Sequence, residues 1–182
     1  NVSRVVILQL PQILTVTKQD IACAGGNTGT ITVTASTTNG NLFYSNNNGS
    51  TYQAGNTFGS LGIGDYYIVV RDDSSCSRAY VANPVTITQA PPLVHTADST
   101  DASCAGVFDG TITVNASGGV PPYTYSLNGG PTQPGNTFTG LSSGTYTVRV
   151  FDFFNCVDVS TITVNNSYVV TGSIVSQTDV SC

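Results

Sequence analysis

The stretch Cys104-Ala105-Gly106-Val107-Phe108-Asp109-Gly110-Thr111-Ile112-Thr113-Val114-Asn115-Ala116-Ser117 decides how this chain folds. Ile112, Val114 and Ala116 alternate with Thr113, Asn115 and Ser117, the two-residue period of a strand with one buried face. The same pattern stands 81 positions earlier, where Cys23-Ala24-Gly25 is followed by Gly29-Thr30-Ile31-Thr32-Val33 and then Ala35-Ser36. Further on, Tyr44-Ser45 matches Tyr125-Ser126, and Gly55-Asn56-Thr57-Phe58 recurs as Gly135-Asn136-Thr137-Phe138. Leu61, Gly64, Tyr66, Val70, Asp72 and Cys76 recur as Leu141, Gly144, Tyr146, Val150, Asp152 and Cys156. Order and spacing hold throughout, so the chain is an internal repeat of about 80 residues.

Both ends extend the pattern. Asp179-Val180-Ser181-Cys182 matches Asp101-Ala102-Ser103-Cys104, while Val6 to Pro11 resembles Thr86 to Pro91. The expected organisation is the last strand of a preceding repeat at 1–10, a first repeat at 11–90, a second at 91–167 and the start of a following repeat at 168–182. Within each repeat the strand runs are short. Tyr123 and Tyr125 alternate, then Tyr146, Val148 and Val150, then Ile162 and Val164, with Gly- and Asn-rich turns between them. Such spacing predicts an all-β chain of tandem Ig-like β-sandwich repeats, each of roughly seven strands, arranged end to end. The Leu61-x-x-Gly64-x-Tyr66 and Leu141-x-x-Gly144-x-Tyr146 patterns fit either a tyrosine corner or a plain core tyrosine.

Composition supports this class. All 10 acidic residues are Asp, and Met and Trp are absent. Thr and Val favour strands, Gly, Asn and Asp favour turns, and no stretch repeats apolar residues at helical spacing. Charged residues are 8% of the chain and the net charge is −5, with five scattered cations, which speaks against a phosphate-binding surface. No apolar run approaches the ~20 residues of a membrane helix.

Five cysteines are present, two in each full repeat plus Cys182. The expected bonds are Cys23–Cys76 and Cys104–Cys156, with Cys182 pairing beyond position 182. If the first cysteine of a repeat ends strand A and the second ends strand F, the two lie at opposite ends of a sandwich. A bond between neighbouring repeats is then the alternative, and buried free thiols are the third reading. No C-x-x-C spacing or nearby His supports a zinc site.

Residues that could carry chemistry are few. His95 is the single histidine. Its counterparts are Thr15 and Thr171, so an exposed or edge-strand role is expected rather than catalysis. Asp72 and Asp73 are adjacent and point to opposite faces of a strand, which does not suit an acid–base pair. Asp72 and Asp152 are expected to accept backbone hydrogen bonds in the turn before the second cysteine. Asp101 and Asp109 could contribute to a calcium site, but the first copy has Thr28 in place of Asp109. Phe151, Phe153 and Phe154 have no aromatic counterparts in the first copy and form a candidate repeat–repeat contact or adhesive patch. Ser99, within Asp98-Ser99-Thr100, is a candidate O-glycosylation site. No catalytic, cofactor-binding or metal residue is expected.

One family shares these features. Asp101-x-Ser103-Cys104-x-Gly106-x-x-Asp109-Gly110-x-Ile112-x-Val114, then Gly118-Gly119-x-Pro121-Pro122-Tyr123-x-Tyr125-Ser126, then Leu141-x-x-Gly144-x-Tyr146-x-Val148-x-Val150-x-Asp152 and Cys156 resemble the SprB repeat of very large surface adhesins of gliding bacteria. The first copy departs from the pattern at Thr37-Thr38-Asn39-Gly40-Asn41. The resemblance implies type IX secretion, display on the bacterial cell surface as long filaments, and movement by the gliding machinery while the adhesin grips a substratum. The expected function is a structural segment of such a filament, with stiff, disulfide-stabilised spacers. Its expected partners are neighbouring repeats, surface polysaccharide or a solid substratum, and, through other parts of the protein, the gliding and secretion machinery; no nucleic acid is expected. The alternatives are a carbohydrate-binding or spacer module of a secreted multidomain enzyme, or a surface-layer or matrix protein.

Overall fold

The computed structural model describes residues 9–104 and 106–167. The flanking pieces expected at 1–10 and 168–182, with Cys182, lie almost wholly outside the described residues. The chain folds as two compact units, Asn1–Pro92 and Leu93–Cys182. All regular structure among the described residues is β.

The second unit is the simpler. Its strands are β9 (Val94–Thr100), β10 (Gly110–Ser117), β11 (Thr124–Leu127), β12 (Thr137–Leu141), β13 (Gly144–Phe151) and β14 (Val157–Val164). They form one sheet in the order β12-β10-β9 and another in the order β11-β13-β14. Ile112 and Val114 of the first sheet meet Tyr125, Val148, Val150 and Val164 of the second in one buried cluster. That is a sandwich of six strands rather than the roughly seven expected. Alternation on β10 puts Ile112 and Val114 inside at 0% exposure, as the two-residue period predicts.

The first unit repeats this plan. Its strands are β1 (Gln12–Gln19), β2 (Gly29–Ser36), β3 (Leu42–Ser45), β4 (Thr57–Leu61), β5 (Gly64–Tyr66), β6 (Val69–Asp72), β7 (Ser77–Ala79) and β8 (Val85–Ile87). β1-β2-β4 form one sheet, and β3-β6-β7 with the pair β5-β8 cover the other face. Ile31 and Val33 take the places of Ile112 and Val114, and Val70 and Ile87 those of Val150 and Val164. The counterparts of β13 and β14 are each interrupted here, as β5 with β6 and as β7 with β8. Between Cys76 and Ile87 the first unit is longer than the matching stretch from Cys156 to Val164. The extra chain bulges out over Tyr80 to Pro84, and the Asn83 side chain fills the gap in the ladder. Its amide donates to the Ile68 carbonyl at 2.9 Å and its oxygen accepts the Ile68 N–H at 2.9 Å. A side-chain amide thus replaces a strand neighbour and pairs both backbone groups of Ile68.

Several repeated residues have a visible packing role. A Cβ on Gly110 would come within 2.7 Å of Val164 Cγ1 and 2.9 Å of the Leu141 carbonyl, and one on Gly29 within 2.8 Å of both Ile87 Cγ2 and the Leu61 carbonyl. Glycine is therefore required where β10 and β2 pass closest to their neighbours. Tyr146 Oη donates to the Ser142 carbonyl at 2.8 Å and Tyr66 Oη to the Gly62 carbonyl at 3.1 Å. These are tyrosine corners, the first of the two readings the sequence allowed. Asn136 and Asn56 of the Gly-Asn-Thr-Phe motif clamp Val114 and Val33. Each side-chain amide donates to that carbonyl at 3.0 Å, while the asparagine's own carbonyl accepts the valine N–H at 2.9 Å.

Candidate functional site

Each unit has two distinct poles, and its two cysteines lie one at each. In the second unit Gly144 pairs with Val164 at one pole, and Phe151 pairs with Val157 at the other. The motif before the first cysteine builds the former pole. Asp101 Oδ1 accepts the Asn165 N–H at 3.2 Å, Ala102 N donates to the Asn165 carbonyl at 2.9 Å, and Ser167 N donates to the Ala102 carbonyl at 2.8 Å. The first unit does the same with Asp20, which accepts the Thr88 N–H at 2.8 Å and also holds Lys18 Nζ at 2.9 Å. The Thr88 amide and the Lys18 ammonium keep the Asp20 carboxyl below the usual carboxylate range. Ile21 pairs with Gln89, and the Gln89 side chain accepts the Gly25 N–H at 3.0 Å. The first cysteine of a unit therefore stands where the chain leaves that unit, here called the downstream pole.

The second cysteine stands where the chain comes in, at the upstream pole. Asp152 is buried there. Its Oδ1 accepts the amides of Phe154 and Cys156 at 2.9 Å, and its Oδ2 accepts the Val120 amide at 3.0 Å. Leu93, the first residue of the unit, lies beside Gly119 of the same cluster. In the first unit Asp72 Oδ1 accepts the amides of Ser74 and Cys76, both at 3.0 Å, and its Oδ2 accepts Asn39 Nδ2 at 2.9 Å. That Asn39 amide also donates to the incoming Gln9 carbonyl. Hydrogen bonds from Asn39, then from Cys76 and Ser74, hold the Asp72 carboxyl below its ordinary range. The turn role expected of Asp72 and Asp152 is thus observed, with Ser75 and Asn155 taking positive φ at the same turn position.

The poles correct the expected cysteine pairing. Cys23 and Cys156 are disulfide-bonded, whereas Cys76 and Cys104 carry free thiols. The bonds Cys23–Cys76 and Cys104–Cys156 are not formed. From Gly144 to Phe151 the chain advances about 23 Å at ~3.3 Å per residue. A disulfide requires Cα atoms within about 7 Å. The two cysteines of one repeat are too far apart to meet.

His95 is also corrected in part. It sits on β9, an edge strand, but its side chain is only 1% exposed. Its Nδ1 and backbone N–H both meet Asp158 Oδ2, at 2.8 and 2.9 Å, and its Nε2 meets Ser160 Oγ at 2.7 Å. Ser, His and Asp in series is the order of hydrolase triads. Here all three join the edge of one sheet to the edge of the other, and the first unit has Arg78 and Tyr80 where Asp158 and Ser160 stand. Ser99 does similar work: its hydroxyl donates to the Thr163 carbonyl at 3.1 Å. In the first unit Lys18 occupies the same register and donates to the Thr86 carbonyl at 2.7 Å. A glycan on Ser99 would have to replace this bond.

The remaining candidates separate. Asp109 Oδ1 accepts the Ser103 amide at 2.9 Å and closes the loop after the first cysteine; hydrogen bonding by Ser103 lowers its pKa. Among the described residues no three His, Cys, Asp or Glu side chains form a metal-holding group. Phe153 and Phe154, 61% and 48% exposed, contact each other edge to face at 5.1 Å on the upstream pole. Phe151 is half-buried at the end of β13. Sequence reasoning missed Phe108, 70% exposed beside Cys104, and Ile63, 62% exposed at the downstream pole of the first unit. Large apolar residues interrupting turn chemistry were the available signal.

The family model described as the SprB repeat matches residues 15–51 and 96–132, once in each unit. Comparison with curated proteins finds no match. Among solved structures, the C-terminal 282-residue fragment of intimin, in complex with the intimin-binding domain of the translocated intimin receptor, is similar at 17% identity and a TM-score of 0.46; the match covers 85% of this chain and 64% of the fragment. The fibronectin(III)-like modules of Clostridium thermocellum CbhA match at 14% identity and a TM-score of 0.35, covering 87% of this chain and 98% of theirs. The N-terminal four Ig domains of Dscam1 isoform 8.4 match at 15% identity and a TM-score of 0.35, covering 89% of this chain and 48% of theirs.

Proposed function

We propose, from the match of the SprB repeat model to both units, that the chain is a structural segment of a long surface adhesin of gliding bacteria, in which repeats act in series as spacers. One observation carries this reading: the residues common to both units are used up by the scaffold. Gly29 and Gly110 allow close strand approach, Asn56 and Asn136 clamp the central strand, Tyr66 and Tyr146 tie corners, and Asp72 and Asp152 build the upstream turn. What differs between the units is the apparatus that could do chemistry, including His95 and its partners. A module selected for ligand or catalysis would repeat that apparatus instead.

In each unit by itself the chain comes in at one pole and leaves at the other, the arrangement a spacer in series needs. A strand the length of β13 spans about 23 Å, and the turns bring a repeat to roughly 30–40 Å. Export to the cell surface, movement by the gliding machinery and grip on a substratum belong to the same proposal, supported by the family. Imaging the native full-length molecule tests it. The expected result is a thread whose contour length grows in proportion to the number of repeats. A compact particle built around a catalytic domain would overturn it in favour of an enzyme accessory module, and lateral sheets would favour a surface layer.

A further inference from the structure

We propose that the first unit carries a binding site for a neutral sugar ring, at the side of the sandwich where β3 and β4 face each other. The site stands wholly within residues 44–61. It goes beyond the spacer role, and its failure would leave that reading untouched.

Three differences laid on the common scaffold make the site. β3 and β4 are edge strands of different sheets. Gln53 joins them: its backbone pairs with Tyr44 in both directions, at 2.8 and 2.9 Å, and its side-chain amide donates to the Gly55 and Thr57 carbonyls at 2.7 and 2.9 Å. Gln133 makes the same bonds in the second unit. Around this shared join the units part. Two residues on from Tyr44 and Tyr125, the next position on the same strand face holds Asn46 in the first unit and Leu127 in the second, where the leucine packs against the core. Just before the shared glutamine Tyr52 stands in place of Thr132, and just after the shared phenylalanine Gly59 stands in place of Thr139. The first unit thus lacks an apolar plug, gains an aromatic wall and loses a side chain. The result is a hollow of about 320 Å³ lined by these residues with Tyr44, Gln53 and Phe58. That is at the small end of the roughly 300–1,000 Å³ of small-molecule sites, which suits a single ring.

The chemistry of the lining selects the ligand. Tyr52 is half-buried, and its ring is braced by the Arg71 guanidinium, whose carbon lies 4.3 Å from the ring centre. Phe58 and Tyr44 add aromatic surface. The Asn46 side-chain amide, Gln53 Oε1 and the Tyr44 and Tyr52 hydroxyls make no hydrogen bond among the described residues. Tyr44 is only 8% exposed, yet its hydroxyl has no partner there. No unpaired side-chain N or O atom among the described residues is fully buried, so this hydroxyl reaches open space at the hollow that Tyr44 lines. Burial pushes its pKa above the ordinary tyrosine value, which keeps it a neutral donor. A ligand hydroxyl would satisfy it at little desolvation cost. None of the lining residues is charged, so an ionic ligand would give up its hydration without a counter-charge. Ring faces beside unengaged amide and hydroxyl groups fit a neutral pyranose, which presents a C–H face and a rim of hydroxyls.

The test is a titration of the full, isotope-labelled chain with the methyl glycosides of glucose, galactose, mannose and N-acetylglucosamine, followed by amide NMR. At the binding energy per atom of small ligands, a single ring should bind with roughly millimolar affinity. The expected result is that at least one glycoside shifts the amides of 44–46 and 51–59 and leaves the matching 125–127 and 131–139 in place. Asn46→Leu and Tyr52→Thr each restore the second unit's residue, which this fold accepts. Each should weaken that binding by about tenfold or more, with the amides remote from the hollow unmoved. The shift map of the unsubstituted chain locates the site whatever the stability of the variants. Absence of any shift with all of the glycosides at roughly 0.1 M would overturn the inference. So would shifts of equal size at the matching positions of both units, undiminished binding in either variant, or tighter binding of methyl glucuronide than of every neutral glycoside.

Discussion

Replacing Gly110 by Ala tests whether the repeated glycine is a packing requirement. The added Cβ would meet Val164 Cγ1 at 2.7 Å, the Leu141 carbonyl at 2.9 Å and the Thr100 carbonyl at 3.2 Å. Carbon atoms prefer about 3.5–4.0 Å, so the two sheets would have to separate by close to an ångström at this point. Overpacking of this kind costs about 1–3 kcal/mol. Against it stands a gain of about 0.4–1 kcal/mol from the smaller entropy of the unfolded chain, since Gly110 is not at positive φ. The net expectation is about 1–2 kcal/mol of destabilisation, or a fall of roughly 5–15 °C in the Tm of the second unit. Gly29→Ala should do the same to the first unit. Gly59→Ala is the control: nothing lies within 4 Å of its Cβ and its φ is not positive, so it should be neutral or slightly stabilising. Thermal and urea unfolding of the full chain read all three. Gly110→Ala and Gly29→Ala behaving like Gly59→Ala would refute the close-approach account of the motif.

Three further outcomes are expected. Asp152→Ala removes the acceptor for three backbone amides at 2.9–3.0 Å and should cost about 2–4 kcal/mol, read as a lower urea midpoint with unchanged slope; a loss below half a kcal/mol would show that water replaces the carboxylate. His95→Ala unlinks β9 from Asp158 and Ser160 and should cost about 1–3 kcal/mol, with faster hydrogen exchange confined at first to β9 amides; equal loss of protection throughout the unit would contradict a local stitch. Asp20 and Asp72 have folded pKa values below their unfolded ones, so their contribution is present above the unfolded value of about 3.9 and is lost as pH falls through the folded value. The first unit should therefore keep its urea midpoint from about pH 7 to 5 and weaken below about pH 4, with a shallower acid limb in Asp72→Asn; weakening that begins near pH 6 would contradict this.

Much of the fold can be read from the chain because strands and turns are local. The alternation Ile112, Val114, Ala116 identifies a buried face without knowledge of any partner, and Asp152 four positions before Cys156 is enough to suggest a self-bonded turn. Quantities set by long-range pairing are not legible in this way. A two-residue period says which face of a strand is buried but not which end of the sandwich it points to, so the polar placement of the cysteines emerges only once Gly144 is seen to pair with Val164. His95 offers no local sign of Asp158 and Ser160, which stand 63 and 65 positions away. The bulge bridged by Asn83 depends on a length difference that strand patterns absorb without trace.

The central claim is that a repeat is a rigid spacer with the chain coming in at one pole and leaving at the other. Small-angle X-ray scattering on chains carrying two, four and eight copies tests it most directly. The account predicts that the largest dimension grows linearly, by roughly 30–40 Å per added repeat. Growth that flattens towards the cube root of chain length, as compact clustering of repeats would give, would contradict it.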